Sequence, residues 1–277
     1  MAPTNRRDEI MTTLTEGIAR LTSSDRWAEW LAVQSRFHKY SFRNTLLILT
    51  QRPDASRVAG FRAWQSMGRQ VAKGEKAIWI LAPVTRKVGD VDPEVQPDAP
   101  DGKGRVLVAF KPACVFDIAQ TYGEELPEVC SRLEGEDITG AFGRLTAVAQ
   151  SIGYTVSVLD FPGTANGDCS FDQRLIRVRE GNAPAQRVKT LAHEIAHAML
   201  HENWTDRQVA ELEAESIAFV VCSNLNLASD DYSFGYCASW AGGGDEAVAA
   251  IKASGERIQK TADAILRSLD ELQERAA

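Results

Sequence analysis

The stretch His193-Glu194-Ile195-Ala196-His197 decides how the C-terminal half of this chain is read. On an α-helix, residues four apart lie one above the other with Cβ atoms about 5–6 Å apart, so the two imidazoles can share one metal ion. Histidine nitrogens bind zinc at about 2.0–2.1 Å, and a catalytic zinc keeps one of its four positions open for water. Glu194 then suits the general base acting on that water. The spacing predicts a helix over Val188 to Leu200: Val188, Leu191, Ile195 and Met199 recur at helical intervals, and Asn182 with Pro184 form a start signal. The chain has four histidines, and His193, His197 and His201 fall within nine residues. At eight residues from His193, His201 lies about 12 Å along the helix axis, too far to share an ion with both others. It is read as a residue behind the site or on the surface.

A third ligand is expected from Glu211-Leu212-Glu213-Ala214-Glu215-Ser216-Ile217-Ala218-Phe219, a second helix in which acids interleave with apolar residues. Glu211 and Glu215 are four apart and share a face. A His-x-x-x-His helix followed by such an acidic helix resembles the gluzincin peptidases. There the second helix gives a ligand glutamate, and another acid four residues later orients a ligand histidine. The resemblance implies Glu211 as the third ligand and Glu215 as the orienting acid. Glu213 is the rival, because some related families align two residues along. A solvated acidic helix face is the plain alternative for all three.

Length and composition bound the rest. The 277 residues allow one large domain or two ordinary ones, and 44% hydrophobic with 25% charged residues is a globular composition. No apolar run approaches the roughly 18–20 residues of a membrane span, and the first residues have no signal-peptide core, so a cytoplasmic protein without a membrane partner is expected. Five scattered cysteines, without a C-x-x-C pair, read as reduced structural thiols. The net charge is −7, yet residues 20–87 carry thirteen Lys/Arg against four Asp/Glu, a local +9 that leaves −16 for the remainder. A basic half joined to an acidic half suggests a polyanion partner for the first.

Helices are expected over Arg6 to Leu21, from Ser24 through Val33, over Ser41 to Thr50 and over Phe61 to Met67. Ala77 to Val84 and Arg105 to Phe110 read as strands, joined by a proline-rich acidic loop at residues 88–104. A domain boundary is expected near residues 126–137, followed by a helix over Thr139 to Ser151 and strands over Tyr154 to Leu159 and Arg174 to Arg179. Ile251, Ile258, Ile265 and Leu269 give the C-terminal segment a helical apolar stripe suited to a core.

In the basic half, aromatic and cationic residues interleave. Cations track phosphates, and aromatic faces stack unpaired bases at about 1–3 kcal/mol each, which is what single-stranded DNA binding needs. Tyr40-Ser41-Phe42-Arg43-Asn44-Thr45-Leu46-Leu47, Val58-Ala59-Gly60-Phe61, Trp64, Gly68-Arg69, Lys73-Gly74-Glu75-Lys76, Ile80-Leu81-Ala82-Pro83, Val115-Phe116-Asp117-Ile118 and Gln120-Thr121 resemble the N-terminal domain of ArdC-type antirestriction proteins. Glu211-Leu212-Glu213-Ala214-Glu215 through Cys222 is similar to that family's segment after its zinc helix, in the gluzincin-like group that includes the ImmA/IrrE peptidases.

The resemblance implies a two-domain α+β protein. Residues 1–126 would be helices plus a small sheet binding single-stranded DNA; for its contacts the interleaving itself offers Tyr40, Phe42, Phe61 and Trp64 among Lys39, Arg43, Arg62, Arg69, Lys73 and Lys76, with Asn44 beside them. Residues 136–277 would be a minigluzincin-type zincin domain holding one Zn2+ ion through His193, His197 and Glu211, with Glu194 as base, Glu215 orienting, and Tyr232 and Tyr236 as possible oxyanion donors for an unknown protein substrate. Such a protein would protect incoming mobile DNA. The other readings are a regulatory peptidase that cleaves a repressor, a protease acting on DNA–protein crosslinks, and a DNA-binding protein with a non-catalytic zinc site.

Overall fold

The computed structural model describes residues 6–21, 23–87, 105–125, 137–203, 206–227 and 244–276. The acidic loop at 88–104 and both Tyr232 and Tyr236 lie outside the described residues. In chain order the elements are α1 (Arg6–Arg20), α2 (Ser24–Arg36), α3 (Phe42–Gln51), β1 (Val58–Ala59), α4 (Phe61–Ser66), β2 (Arg69–Val71), β3 (Ile78–Lys87), β4 (Arg105–Asp117), β5 (Thr121–Gly123), α5 (Asp137–Ser151), β6 (Thr155–Leu159), β7 (Gly167–Ser170), β8 (Leu175–Arg179), α6 (Pro184–Leu200), α7 (Arg207–Asn224) and α8 (Gly244–Ala276). The architecture is α+β, in two compact units: Met1–Gly17 with Arg43–Leu126, and Ile18–Phe42 with Pro127–Ala277. Ile18–Phe42, which the expected 1–126 domain includes, belongs to the second unit.

In the first unit, β3 and β4 form an antiparallel hairpin with a register shift between Val84 and Thr85, and β1 pairs with the far edge of β4. That leaves β3 as an edge strand with unpaired backbone groups, which need a cover. Two side-chain amides of α3 supply it. Asn44 Nδ2 donates to Leu81 O at 3.0 Å while its Oδ1 accepts from Leu81 N at 2.9 Å; Gln51 does the same to Trp79 at 2.8 and 2.9 Å. Asp117 secures the other end of the hairpin. Its carboxylate accepts from the backbone N–H groups of Ser56, Arg57 and Ala119 at 2.8–3.0 Å. Gln120 then ties the Lys73–Lys76 turn down, donating to Glu75 and to Lys76 O at 2.8 Å.

In the second unit, β6 runs parallel to β8 and β7 runs antiparallel to it, in the order β6-β8-β7. Helix α6 packs against β7, β8, α5 and α7, and α8 packs on α5 and α7. The start of α6 follows from Pro184 in its first turn, where a missing N–H costs nothing. For α7 the signal is Asp206, whose side chain accepts from Gln208 N and Val209 N. The stripe of Ile251, Ile258, Ile265 and Leu269 is buried as expected. Trp27 donates to Ser216 Oγ at 3.0 Å and Asn224 to Ser35 O at 2.7 Å, so α2 is keyed to α7 by polar bonds as well as by apolar packing.

Gly255 lets α8 approach Phe42. A Cβ there would lie 2.3 Å from the Phe42 ring, which is 1% exposed and edge-on to Trp30 at 5.1 Å. Alanine gains about 1 kcal/mol of helix propensity over glycine, whereas overpacking of this kind costs about 1–3 kcal/mol. Gly255→Ala is therefore expected to lower the urea midpoint of unfolding. A raised midpoint would show that the ring has room to move aside.

Candidate metal centre

Three side chains from two helices converge on one point of the second unit. His193 Nε2 lies 3.0 Å from His197 Nε2 and 3.4 Å from Glu211 Oε2, and His197 Nε2 lies 3.8 Å from the same oxygen. Bonds of about 2.0–2.1 Å at tetrahedral angles put ligand atoms about 3.3–3.4 Å apart, so this triangle has the dimensions of one face of a zinc tetrahedron. The donor set fits the group for a second reason. Two imine nitrogens and a carboxylate oxygen aimed at one another are mutually repulsive unless a cation or a proton lies between them.

Electrostatics point the same way. Burial opposes a charge on His193, yet the carboxylates of Glu211, Glu215 and Glu194 push its pKa up to about 9. Hydrogen bonds to His193 and His197 hold Glu211 far below the ordinary carboxylate range. For Glu194, burial and then the negative charges of Glu211 and Asp168 outweigh the attraction of His193 and raise the carboxyl to about 7. A site that draws a proton onto a buried histidine is short of positive charge.

Each imidazole is held from behind through Nδ1. For His193 the partner is Glu215 Oε2 at 3.3 Å, and Glu215 in turn pairs with Lys189 Nζ at 2.9 Å. For His197 it is His201 Nδ1 at 2.9 Å. Glu213, the rival ligand, is not in the triangle. It is 0% exposed, 3.4 Å from His201 Nε2, and bonded to Ser254 and Arg257 of α8. Helical rotation of about 100° per residue explains the split: Glu211 and Glu215 project about 40° apart, whereas Glu213 lies about 200° round from Glu211.

The triangle opens into a cleft of about 770 Å³ whose other wall is the edge strand β7. Gly167 permits that closeness, since a Cβ there would meet Thr190 Cγ2 at 2.4 Å, Arg177 O at 2.9 Å and Glu194 Cγ at 3.3 Å. Two further residues reach the cleft: Cys169, one of the cysteines read as structural thiols, and Arg207, which the sequence did not single out. Cys169 lines it as a neutral thiol, pushed up to about 12 by burial and then by the carboxylates of Glu194 and Asp168. Arg207 stands on the rim, 3.8 Å from Glu211 Oε1. Neither had a local signal: β7 has no apolar alternation, and Arg207 is one cation among many.

The residues expected to contact DNA separate into two groups. Phe42 and Trp64 are buried, the latter donating from Nε1 to Phe116 O at 2.9 Å, and Asn44 is taken up by β3. In this fold those three side chains are taken up by packing and by hydrogen bonds within the protein. Arg69 is spent partly on Thr121 and Glu124. Lys73 and Lys76 are exposed in the first unit, and Arg43 is half-buried there; Lys39 and Tyr40 fall in the second. Phe61, one of the interleaved aromatics of the sequence, and Tyr122, which the sequence did not single out, are 48% and 59% exposed in the first unit. Among the described residues, no helix is long and apolar enough to cross a membrane.

Comparison with known proteins places both halves. Residues 4–116 match the family model for the N-terminal domain of anti-restriction factor ArdC, and residues 149–230 match the IrrE N-terminal-like domain of peptidase family M78. An uncharacterized Bacillus anthracis protein, pXO2-81, is 26% identical over 307 residues, covering 95% of this chain and 50% of its own. The chain thus spans about half the length of that curated relative. The Mn(II)-bound crystal structure of antirestriction ArdC protein from plasmid R388 matches with a TM-score of 0.54 at 19% identity, over 99% of this chain and 98% of that one. The metal-free structure of the same protein gives 0.48 at 19% identity, over 86% and 85%. The two domain matches, in this order on one chain and with the fold likeness beside them, make this an ArdC-like two-domain protein with an IrrE-like peptidase-family domain.

Proposed function

We propose that this chain is an antirestriction-type protein that binds single-stranded DNA through its first unit and acts as a zinc-dependent peptidase through its second, protecting incoming mobile DNA. The observation that carries the reading is the triangle of His193, His197 and Glu211 with Glu194 buried beside it. His193, His197 and Glu211 would hold a divalent ion, which when bound would supply Lewis acidity toward water and a peptide carbonyl. Glu194 takes the proton of the attacking water and returns it to the leaving amine. Glu215 keeps His193 in the tautomer that offers Nε2. Two imidazoles and one carboxylate are a set that zinc takes in catalytic sites. The IrrE-like match favours a second reading, a regulatory peptidase that cleaves a repressor. Cleavage of a regulator without DNA would favour it, and DNA-dependent cleavage the first.

Glu194→Gln is expected to retain metal and lose peptidase activity by at least about 100-fold, a magnitude ordinary for a general base. His193→Ala is expected to lose the metal itself. Metal analysis of both proteins with a peptide-cleavage assay checks this, and full metal content in both His193→Ala and Glu211→Ala would remove the ligand assignment.

For DNA, the supporting chemistry is the exposed pair Phe61 and Tyr122 with Arg62, Lys73 and Lys76 in one unit. Phe61→Ala and Tyr122→Ala should each weaken single-strand binding by about 1–3 kcal/mol without changing the unfolding midpoint. Trp64→Ala should instead destabilise the fold by about 3–5 kcal/mol, as loss of a buried tryptophan does. Fluorescence titrations with an oligonucleotide, with urea unfolding, separate the two. Unchanged affinity in both exposed-aromatic variants would move the DNA face elsewhere.

A further inference from the structure

The last histidine of the cluster and the rival acid are linked in one buried line. His197 Nδ1 lies 2.9 Å from His201 Nδ1, and His201 Nε2 lies 3.4 Å from Glu213 Oε2. The side chains of His201 and Glu213 are 3% and 0% exposed. Glu213 is then fixed from α8. Ser254 Oγ donates to it at 2.6 Å, and the Arg257 guanidinium donates to both of its oxygens at 2.5–3.1 Å.

The donors and acceptors in this line can be assigned in one direction only. His197 Nε2 faces His193 and Glu211 and must offer its lone pair to a metal, so its proton is on Nδ1. The Nδ1···Nδ1 contact then requires His201 to accept there and to carry its own proton on Nε2. That proton meets the Glu213 carboxylate. Every polar atom along the line has a partner of the right kind, which is the condition for a buried network to stabilise one geometry.

We propose that His201 is a positioning residue for the metal centre, fixing the tautomer and ring orientation of His197, and that Glu213, Ser254 and Arg257 hold His201 in place. The inference rests on the reading of His193, His197 and Glu211 as metal ligands. Glu215 serves His193 directly; the His201–Glu213 line serves His197 at one remove and brings α8 into the metal site's support. Backing groups of this kind alter metal affinity by roughly 10–100-fold when removed.

The test compares His201→Asn with His201→Leu, two side chains of nearly equal shape. Asn Oδ1 can stand where His Nδ1 stands and accept from His197, whereas Leu cannot. Cobalt(II) is titrated into the metal-stripped full chain and followed by its d–d absorption, with thermal unfolding of each protein as a fold check. The expected result is that His201→Leu binds cobalt roughly 10–100-fold more weakly and shifts the band, while His201→Asn stays within about threefold of the parent. Equal affinity in the two variants, whether both match the parent or both fall, overturns the positioning role. If His201→Leu fails to fold, His201→Phe takes its place in the comparison. His193→Ala and Glu211→Ala separate the two readings: if they still bind cobalt with parental affinity, the metal assignment fails. If they lose it while His201→Leu keeps it, only the positioning role does.

Discussion

Two lone-pair nitrogens held 3.0 Å apart on adjacent turns of one buried helix are the constraint around which the second unit is arranged. Imidazoles so placed repel unless a proton or a cation lies between them. The surroundings supply negative charge on every side instead. Glu211 closes the triangle, Glu215 backs His193, Glu194 lies beside it, and Glu213 stands behind His201. Four carboxylates around three imidazoles are a stable arrangement only with compensating positive charge. Lys189 and Arg257 offset Glu215 and Glu213, which leaves the charge deficit concentrated at the triangle itself.

The packing around α6 follows from the same need. The helix must be buried enough to orient its histidines and still open to a cleft. It is covered by α5, α7 and the small sheet, while Gly167 lets β7 pass close beside Glu194. The resulting burial is what lifts Glu194 to about 7, since a carboxylate so placed meets apolar surroundings and neighbouring negative charge together. Local structure and chemistry are thus one problem: the contact that shapes the cleft is the contact that tunes the base.

Much of this was legible in the sequence, and the failures have physical causes. Long helices with a 3.6-residue apolar period announce themselves, so α1, α2, α3 and α5 fall close to their expected ranges and the apolar stripe of α8 is where it was expected, whereas β4 runs seven residues beyond the expected Phe110 to Asp117. Strands of two to four residues carry no such period: β1, β2, β5 and β7 exist because of their partners. The basic aromatic segment misled in a different way. Phe42, Trp64 and Asn44 sit among cations in sequence, and nothing local reveals that the first two turn inward or that an amide will complete the edge of β3. The second-unit membership of Ile18–Phe42 is likewise fixed by partners nearly 190 residues away, Trp27 with Ser216 and Ser35 with Asn224.

Helical geometry alone divides the Glu211–Glu213–Glu215 ladder. With a rotation of about 100° per residue, the first and third acids must act on one side of α7 and the middle one on the other. If Glu213 were the ligand, its neighbours at 211 and 215 would face away from the histidines and the middle acid alone would face them. The observed contacts show the reverse, with two acids on the histidine pair and one buried against α8. What helical geometry could not supply is the role of His201. It is the residue that closes α6, its N–H still bonded to His197 O, and its side chain lies between His197 and Glu213. A residue excluded as a ligand by its distance along the axis is, for that reason, free to stand behind one.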